Sequence, residues 1–378
     1  MTHRRQLKFV VVLIIIMIGS ALPQSLSYKP GGGIHLFSEQ EQWKLRLLGY
    51  VQSTYTVHAV NENEAVSNEF YIRRARLDFI FDYKDRYQIF VELDARGKRT
   101  EMVLAKFDIR YFQKHKLQIG KYITPFSPEN TRSSRSLSTV ERYSGLNSMF
   151  LLPALDTQYG VMFHGEIHKF NYFLSVTNGN GAAALNIREN NNAKDFQGRL
   201  VYRFNSQMHV GGSVNYSREE AQRLMLVDHT FNPFNAAQIR GRRFGYLFDF
   251  EYRPNFFSLR GEVFQYHFSE ALSEEQQIRK FFGGYGEAGY FLFGNKTDGL
   301  QLLGRLETAQ YRQTHFSLEG PSKMYSFILG NNWYKDDIFR LQINLIYELA
   351  DKNSALQNTR FTGRDSAFEI LTMLQLKF

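Results

Sequence analysis

The chain is 378 residues long, with 34 Phe and 22 Tyr against two Trp, eight Pro and no Cys. The lack of cysteine excludes a disulfide scaffold, thiolate metal sites and a cysteine nucleophile. The formal net charge is +9, of which Arg4, Arg5 and Lys8 supply three positive charges, leaving +6 for the rest of the chain. A mean hydropathy of -0.38, with no long apolar run beyond the first residues, excludes a helical membrane protein. It leaves open a membrane protein built of strands, whose alternating residues average to the hydropathy of a soluble chain.

The cationic start is followed by an uninterrupted apolar run from Phe9 to Ile18 and by the small residues Gly19, Ser20 and Ala21. This order predicts a secretory signal peptide over residues 1–24, cleaved between about 21 and 27, because the apolar stretch is too short to span a bilayer comfortably. Residues 25–42, including Gly31 to Gly33, form an N-terminal extension before the first strand. Residues 43–378 then read as one all-β unit, with no Pro-rich or Gly/Ser-rich linker to divide it.

From Trp43 onward apolar and polar residues alternate with period two, which predicts strands with one apolar face. Near the C-terminus Phe339, Leu341, Ile343, Leu345, Tyr347 and Leu349 point one way, and Arg340, Gln342, Asn344 and Glu348 the other. Sixteen such segments can be laid out, at about 43–57, 70–82, 87–95, 103–112, 117–122, 157–165, 169–177, 195–204, 207–217, 239–252, 257–268, 280–293, 299–311, 323–333, 338–350 and 366–378. The eleventh, 257–268, alternates poorly.

The connections alternate in length. Short ones fall at 83–86, 113–116, 166–168, 205–206, 253–256 and 334–337, and long ones at 58–69, 123–156, 178–194, 218–238, 269–279 and 351–365. A soluble sandwich has no reason to alternate so regularly. A bacterial outer-membrane barrel does, with short periplasmic turns, long extracellular loops and an even strand count. The expected fold class is therefore all-β: a transmembrane antiparallel β-barrel of about 16 strands. The chain ends on alternate apolar positions and a terminal Phe378, which resembles the signal that bacterial barrels present to their assembly machinery.

A barrel of 16 strands leaves an aqueous lumen. The longest connection, 123–156, is the third extracellular loop, the one expected to fold inward and narrow that lumen. It holds Arg132, Arg135 and Arg142 against Glu129 and Glu141, with Lys121 just before it. These four cations are the candidate pore constriction, since guanidinium groups suit oxyanions and a narrow pore focuses their field. Strand parity adds Arg74, Arg76, Lys106, Arg110, Arg199 and Arg203 as basic residues of the lumen. Asp78, Asp82, Glu92, Asp94, Asp108, Asp249, Glu251 and Glu307 share that parity, so the lumen is of mixed charge.

Two stretches carry a resemblance to a known family. Residues 69–77, Glu-Phe-Tyr-Ile-Arg-Arg-Ala-Arg-Leu, resemble the Arg-Arg-Ala-Arg strand of the phosphate-selective porin O and P family. Residues 117–129, Leu-Gln-Ile-Gly-Lys-Tyr-Ile-Thr-Pro-Phe-Ser-Pro-Glu, with the Ser-rich 131–139 and Glu141-Arg142 after them, resemble that family's approach to its constriction loop. The resemblance implies a bacterial outer-membrane porin, commonly a homotrimer, that passes small anions such as phosphate without a cofactor.

Other signals are weaker. The run from Gly284 to Gly289 matches G-x-G-x-x-G but lies inside a strand-like segment, so no dinucleotide fingerprint is expected. The ten His residues form no metal motif and no catalytic residue is assigned. Export and the absence of a recognisable module argue against nucleic acid, and the expected partners are outer-membrane lipid, small anions and copies of the chain. Two other function classes remain open: a barrel-based enzyme of the phospholipase kind, for which His164, His168 or His267 would need a serine, and an adhesin or structural barrel.

Overall fold

The computed structural model of the protein describes residues 25–38, 42–59, 67–97, 100–112, 114–150, 157–179, 193–227, 233–270, 277–313, 322–350 and 366–378. The expected signal peptide at 1–24 and most of the long connections other than the third lie outside the described residues. A hairpin comes first, β1 (Ser25–Lys29) and β2 (Gly33–Phe37). Each of the sixteen expected segments then meets one strand: β3 (Trp43–Ala59), β4 (Ser67–Tyr83), β5 (Tyr87–Asp94), β6 (Glu101–Phe112), β7 (His115–Ile123), β8 (Thr157–Ile167), β9 (Phe170–Thr177) and β10 (Asp195–Arg203). They continue as β11 (Met208–Val227), β12 (Pro233–Tyr252), β13 (Phe257–Glu270), β14 (Gln277–Gly294), β15 (Gly299–Gln313), β16 (Ser322–Lys335), β17 (Phe339–Ala350) and β18 (Ser366–Lys377). Between β7 and β8 lie two short helices, α1 (Pro128–Thr131) and α2 (Ser144–Phe150).

Every strand from β3 to β18 pairs antiparallel with its neighbour in sequence, and β18 pairs with β3, which closes a ring of sixteen. Closure removes the exposed edges that an open sheet would present to lipid. The distribution of side chains is inside out. Along β17, Ile343, Leu345 and Tyr347 are exposed, whereas Gln342, Asn344, Ile346 and Glu348 are buried. The same inversion runs around the ring, with Leu329, Leu306, Phe248, Leu200 and Leu174 exposed and Asn332, Arg305, Asp249, Arg199 and Ser175 buried. An apolar outer face belongs against hydrocarbon, and the polar face lines the lumen.

The short turns gather at the end of the barrel where β3 begins and β18 stops. Lys84 and Asp85, and likewise Asp336 and Asp337, each place two consecutive residues at positive φ. That backbone suits two-residue hairpins because its twist matches that of the strands. At the seam the Phe378 N–H donates to the Gly49 carbonyl at 3.0 Å. The Phe378 ring fills the space where a Cβ on Gly49 would stand, 2.3 Å from its nearest atom. Because β18 ends beside Tyr50, residues 44–47 of β3 would be left unpaired, and β2 takes them. The N-terminal extension is thus a hairpin that covers the lower end of the seam.

Two departures from the sequence reading have physical reasons. The stretch 218–238 is largely strand, since β11 runs to Val227 and β12 starts at Pro233, paired throughout with a bulge between Glu219 and Gln222. The poor alternation of 257–268 arises because the upper half of β13 turns Phe264, Tyr266 and Phe268 inward, where they pack on Phe126, Tyr143, Leu146 and Met149 of the third loop. There the inner face needs to be apolar, so the period-two contrast fades.

Leu329 stands near mid-height on β16 and is exposed on the outer face. Leu329→Arg should destabilise the vesicle-folded barrel by about 2–4 kcal/mol, as a cation at the bilayer midplane does. Urea titration of folding into lipid vesicles measures it, and an unchanged midpoint would mean that this face does not meet hydrocarbon.

Candidate functional site

The site is the lumen together with the loop of residues 124–156, described as far as Phe150. Within β7, three residues before the strand ends, Gly120 has a φ of +121° that admits only glycine without strain, and its Cβ would meet the Ala105 carbonyl at 2.3 Å. Ser127, at φ +133°, then turns the chain into α1. Its Oγ accepts from the Asn130 N–H at 3.0 Å and donates to Glu262 Oε1 on β13 at 2.6 Å. Pro128 opens the helix, where a missing N–H costs nothing.

From there the loop is bonded to inward-facing residues of the wall. Glu129 accepts from both Nη atoms of Arg305 on β15, at 3.1 and 3.0 Å, and Tyr285 OH donates to its other oxygen at 3.2 Å. Arg305 also bonds Glu287 at 2.8 Å and lies 4.3 Å over the Tyr285 ring. Arg260 and Ser138 Oγ, both at 2.7 Å, complete the donors around Glu287. Further along, Arg73 on β4 grips both oxygens of Glu141. Neutral contacts join them: Asn332 and Gln342 each donate to the Ser138 carbonyl at 2.8 Å, and Arg340 to the Leu137 carbonyl at 2.8 Å. The Val140 N–H donates to Asn344 Oδ1 at 2.7 Å.

Both charge pairs are withdrawn from water, so neither is weakened by solvent as a surface pair would be. Removing one member of such a pair strands the other, at a cost of about 3–5 kcal/mol. Burial raises the Glu141 carboxyl, but the Arg73 guanidinium outweighs it and holds the group below the usual carboxylate range.

The loop also reaches across. Arg132 pairs with Glu251 on β12 at 3.1 Å, and Arg135 approaches Asp78 on β4 at 3.6 Å. In the ring of sixteen, β4 and β12 stand eight strands apart in either direction. The stretch from Arg132 to Arg135 therefore bridges opposite walls. The inner faces of β13–β18 and β3 lie on the loop's side, where the Val227 N–H at the end of β11 also donates to Ser148 Oγ of α2 at 3.0 Å, and the faces of β5–β10 lie across the lumen from it.

The expected site residues divide into three groups. Arg142 is a staple within the loop: its guanidinium donates to the carbonyls of Glu129 at 3.0 Å and Arg132 at 2.8 Å. Neither Glu129 nor Glu141 pairs with Arg132 or Arg135 among the described residues; they serve the wall instead. Lys121 does not face the lumen. It lies opposite Ala105 and Tyr159 in the ladders, on the outward face shared with Ile119, and its amine donates to the Met102 carbonyl at 2.9 Å. Strand parity decides this, because Gln118 and Tyr122 point inward and the residues between them alternate.

The lumen-parity cations all face inward, but several are already paired. Arg76 bonds Glu92 and Asp94, Arg110 lies 3.4 Å from Asp82, and Arg199 holds Asp249 through two bonds at 2.6 and 3.0 Å. Among the described residues Arg74 and Lys106 donate to neutral acceptors only: the Arg73 carbonyl at 2.7 Å and Gln118 Oε1 at 2.9 Å. Arg96, which the sequence reading did not single out, donates to the same Arg73 carbonyl at 3.0 Å. Two guanidinium groups thus converge on one oxygen beside the Arg73–Glu141 tether. Arg203 faces inward near the short turns and is exposed.

Residues 46–378 match the family phosphate-selective porin O and P. The chain belongs to this family and is a porin of the bacterial outer membrane. No curated protein matches it. Among solved structures it is similar to OmpT, an outer membrane protein of Vibrio cholerae, with a TM-score of 0.63 and 12% identity over 89% of this chain and 98% of that one. The anion-selective porin from Comamonas acidovorans aligns with a TM-score of 0.62 and 12% identity over 89% of this chain and 100% of that one. The DcaP channel of Acinetobacter baumannii gives 0.59 and 10% over 90% of this chain and 99% of that one. At these identities the likeness is one of fold.

Arg73 is the porin's main residue missed from sequence, because strict alternation sends it outward. A bulge opposite Gln52 and Ser53 instead turns both Arg73 and Arg74 inward. The signal was present: two adjacent arginines in a lipid-facing strand leave one of them in hydrocarbon unless a bulge intervenes.

Replacing Glu141 by Gln should remove about 3 kcal/mol or more of loop docking. Single-channel recording should then show a larger and noisier conductance; an unchanged trace would contradict the tether. The sign of the pH effect follows from the lowered carboxyl. The pair's contribution is present above the usual carboxylate range and is lost as pH falls through the lowered value. Wild-type conductance should hold from neutral to mildly acidic pH and rise only below that range.

Proposed function

We propose that the protein is a passive channel for small anions, with a preference for phosphate-like oxyanions, and that it works as a homotrimer after removal of an N-terminal export signal. The observation that carries the anion preference is the imbalance of charge pairing. The inward carboxylates Asp82, Glu92, Asp94, Asp249 and Glu251 are each held by arginine, whereas Arg74 and Lys106 have neutral partners. Arg96 shares the acceptor of Arg74 and lies 3.6 Å from Asp94. A passing anion finds guanidinium and ammonium donors bonded to neutral oxygens, while of the inward carboxylates weighed from sequence Asp108 is the one that no arginine holds among the described residues. Planar guanidinium groups bond oxyanions through paired N–H donors, which favours phosphate over chloride.

Arg132 and Arg135 contribute from the loop. Their charges are partly offset by Glu251 and Asp78, yet Arg135 keeps a third of its side chain exposed. The family supports phosphate as a solute, and the printed title of one fold relative names anion selectivity. An enzymatic reading has no comparable support. Of the histidines weighed as bases, His164 stacks on Phe173 and His267 pairs with Gln265.

The test is the reversal potential of single channels under a salt gradient. The wild type should be anion-selective, and added phosphate should reduce the chloride current. Replacing Arg74, Arg96 and Lys106 together by Gln should move the reversal potential toward zero and relieve the phosphate effect; R132A/R135A should do so more weakly. Cation selectivity in the wild type, or no change in the triple variant, would contradict the reading.

A further inference from the structure

Apart from Lys121 on β7 and Lys335 beside the short turns, the charge on the described outward strand faces lies in one arc. On the outward faces of β11–β16, near the end where the long loops lie, stand Arg218, Arg242, Lys280 and Lys323, with His267 between Arg242 and Lys280. Their burial states agree with their parity: Arg218, Arg242 and Lys280 are exposed, and Lys323 is half-buried. The described outward positions of these six strands hold no Asp or Glu. Arg242, Lys280 and Lys323 meet no carboxylate within ion-pair distance among the described residues. The outward faces of β17, β18 and β3 carry no charged residue at all.

Two of the cross-strand neighbours are like in charge or in capacity for it. Arg218 lies directly opposite Arg242, and His267 directly opposite Lys280.

Height identifies what lies beside them. Arg242 precedes the end of β12 at Tyr252 by ten residues, Lys280 the end of β14 at Gly294 by fourteen, and Lys323 the end of β16 at Lys335 by twelve. Tilted strands climb roughly 2.5 Å per residue, which puts the three about 25–35 Å above the short turns. An apolar band about 25 Å tall ends at that level. The exposed rings of Tyr216, Phe244 and Tyr325 mark the same boundary. Arg242, Lys280 and Lys323 therefore stand at the headgroup layer of the outer leaflet, just above hydrocarbon, where an anionic headgroup complements their charge.

We propose that this arc is a binding surface for phosphate-bearing lipid headgroups of the outer leaflet. Phosphate oxygens would accept paired N–H donors from Arg242 and hydrogen bonds from the amines of Lys280 and Lys323, while acyl chains lie on the apolar wall below. The surface is on the opposite side of the wall from the channel, so the proposal does not depend on the solute.

The test uses folded wild-type protein in dodecyl maltoside micelles, titrated with diphosphoryl lipid A and, separately, with the same lipid after removal of both phosphates. Native mass spectrometry counts the bound lipid, and heat-modifiable mobility reports folding. The phosphorylated lipid should bind and the dephosphorylated one should not, and salt should weaken the binding. In the triple variant R242Q/K280Q/K323Q affinity should fall on the order of a hundredfold, from the loss of three interfacial cations. If that variant does not fold, K280Q/K323Q should lose affinity where K280R/K323R keeps it. Equal binding of the two lipids, or equal binding by variant and wild type, overturns the proposal. So does a variant that loses its oligomeric state while lipid binding is unchanged, which would make the arc a contact between copies of the chain.

Discussion

The constraint on which the structure depends is that a closed ladder in a bilayer must put its apolar residues outside. The backbone is satisfied by ring closure, from β18 onto β3. What remains is an inner face that collects nearly every ionisable side chain of the strands in a confined space. Charges crowded there are tolerable only when paired or bathed in water. The lumen uses both solutions, and the boundary between them defines the channel.

On one side the third loop supplies the pairing. Arg73 is a wall cation that would lack a carboxylate without Glu141, Arg305 adds Glu129 to its wall partners Glu287 and Glu307, and the loop carboxylates would be isolated without the wall. The tethering is reciprocal, which explains why the loop's own arginines are not spent on its own acids. They reach instead to Glu251 and Asp78 on opposite walls. Aromatic packing of Phe126 and Tyr143 against Phe264 and Tyr266 excludes water behind the loop and strengthens the pairs there. On the other side, Arg74 and Lys106 are held by carbonyl and amide oxygens, Arg96 shares one of those oxygens and lies 3.6 Å from Asp94, and all three keep donors for a passing solute.

Much of this was legible in the sequence. Period-two contrast located all sixteen strands of the ring, and alternating loop lengths gave the orientation of the barrel. The contrast fails where the physical environment changes. It fades in β13, whose inward aromatics meet the loop, and it says nothing of β1 and β2, which pair on a short stretch of β3 that only the end of β18 at the seam leaves open. Parity placed Arg76, Lys106, Arg110 and Arg199 correctly but misjudged Arg73, because one bulge inverts the count. Lys121 is the converse case: its place beside the constriction motif suggested the lumen, and simple alternation from Gln118 would have sent it outward. Which cations are paired was beyond the sequence, since Arg305 and Glu129 are 176 positions apart.

The central claim is that the third loop is held across the lumen against the wall, and proximity tests it most directly. The chain has no cysteine, so a pair can be introduced without background. Ser138, whose carbonyl accepts from Asn332 at 2.8 Å, and Asn332 itself are suitable sites. In the folded S138C/N332C protein a short bifunctional thiol reagent should link the two positions nearly completely, with little access for a bulky maleimide. Free labelling of Cys at 138 by the bulky reagent, with no cross-link in the folded barrel, would contradict the account.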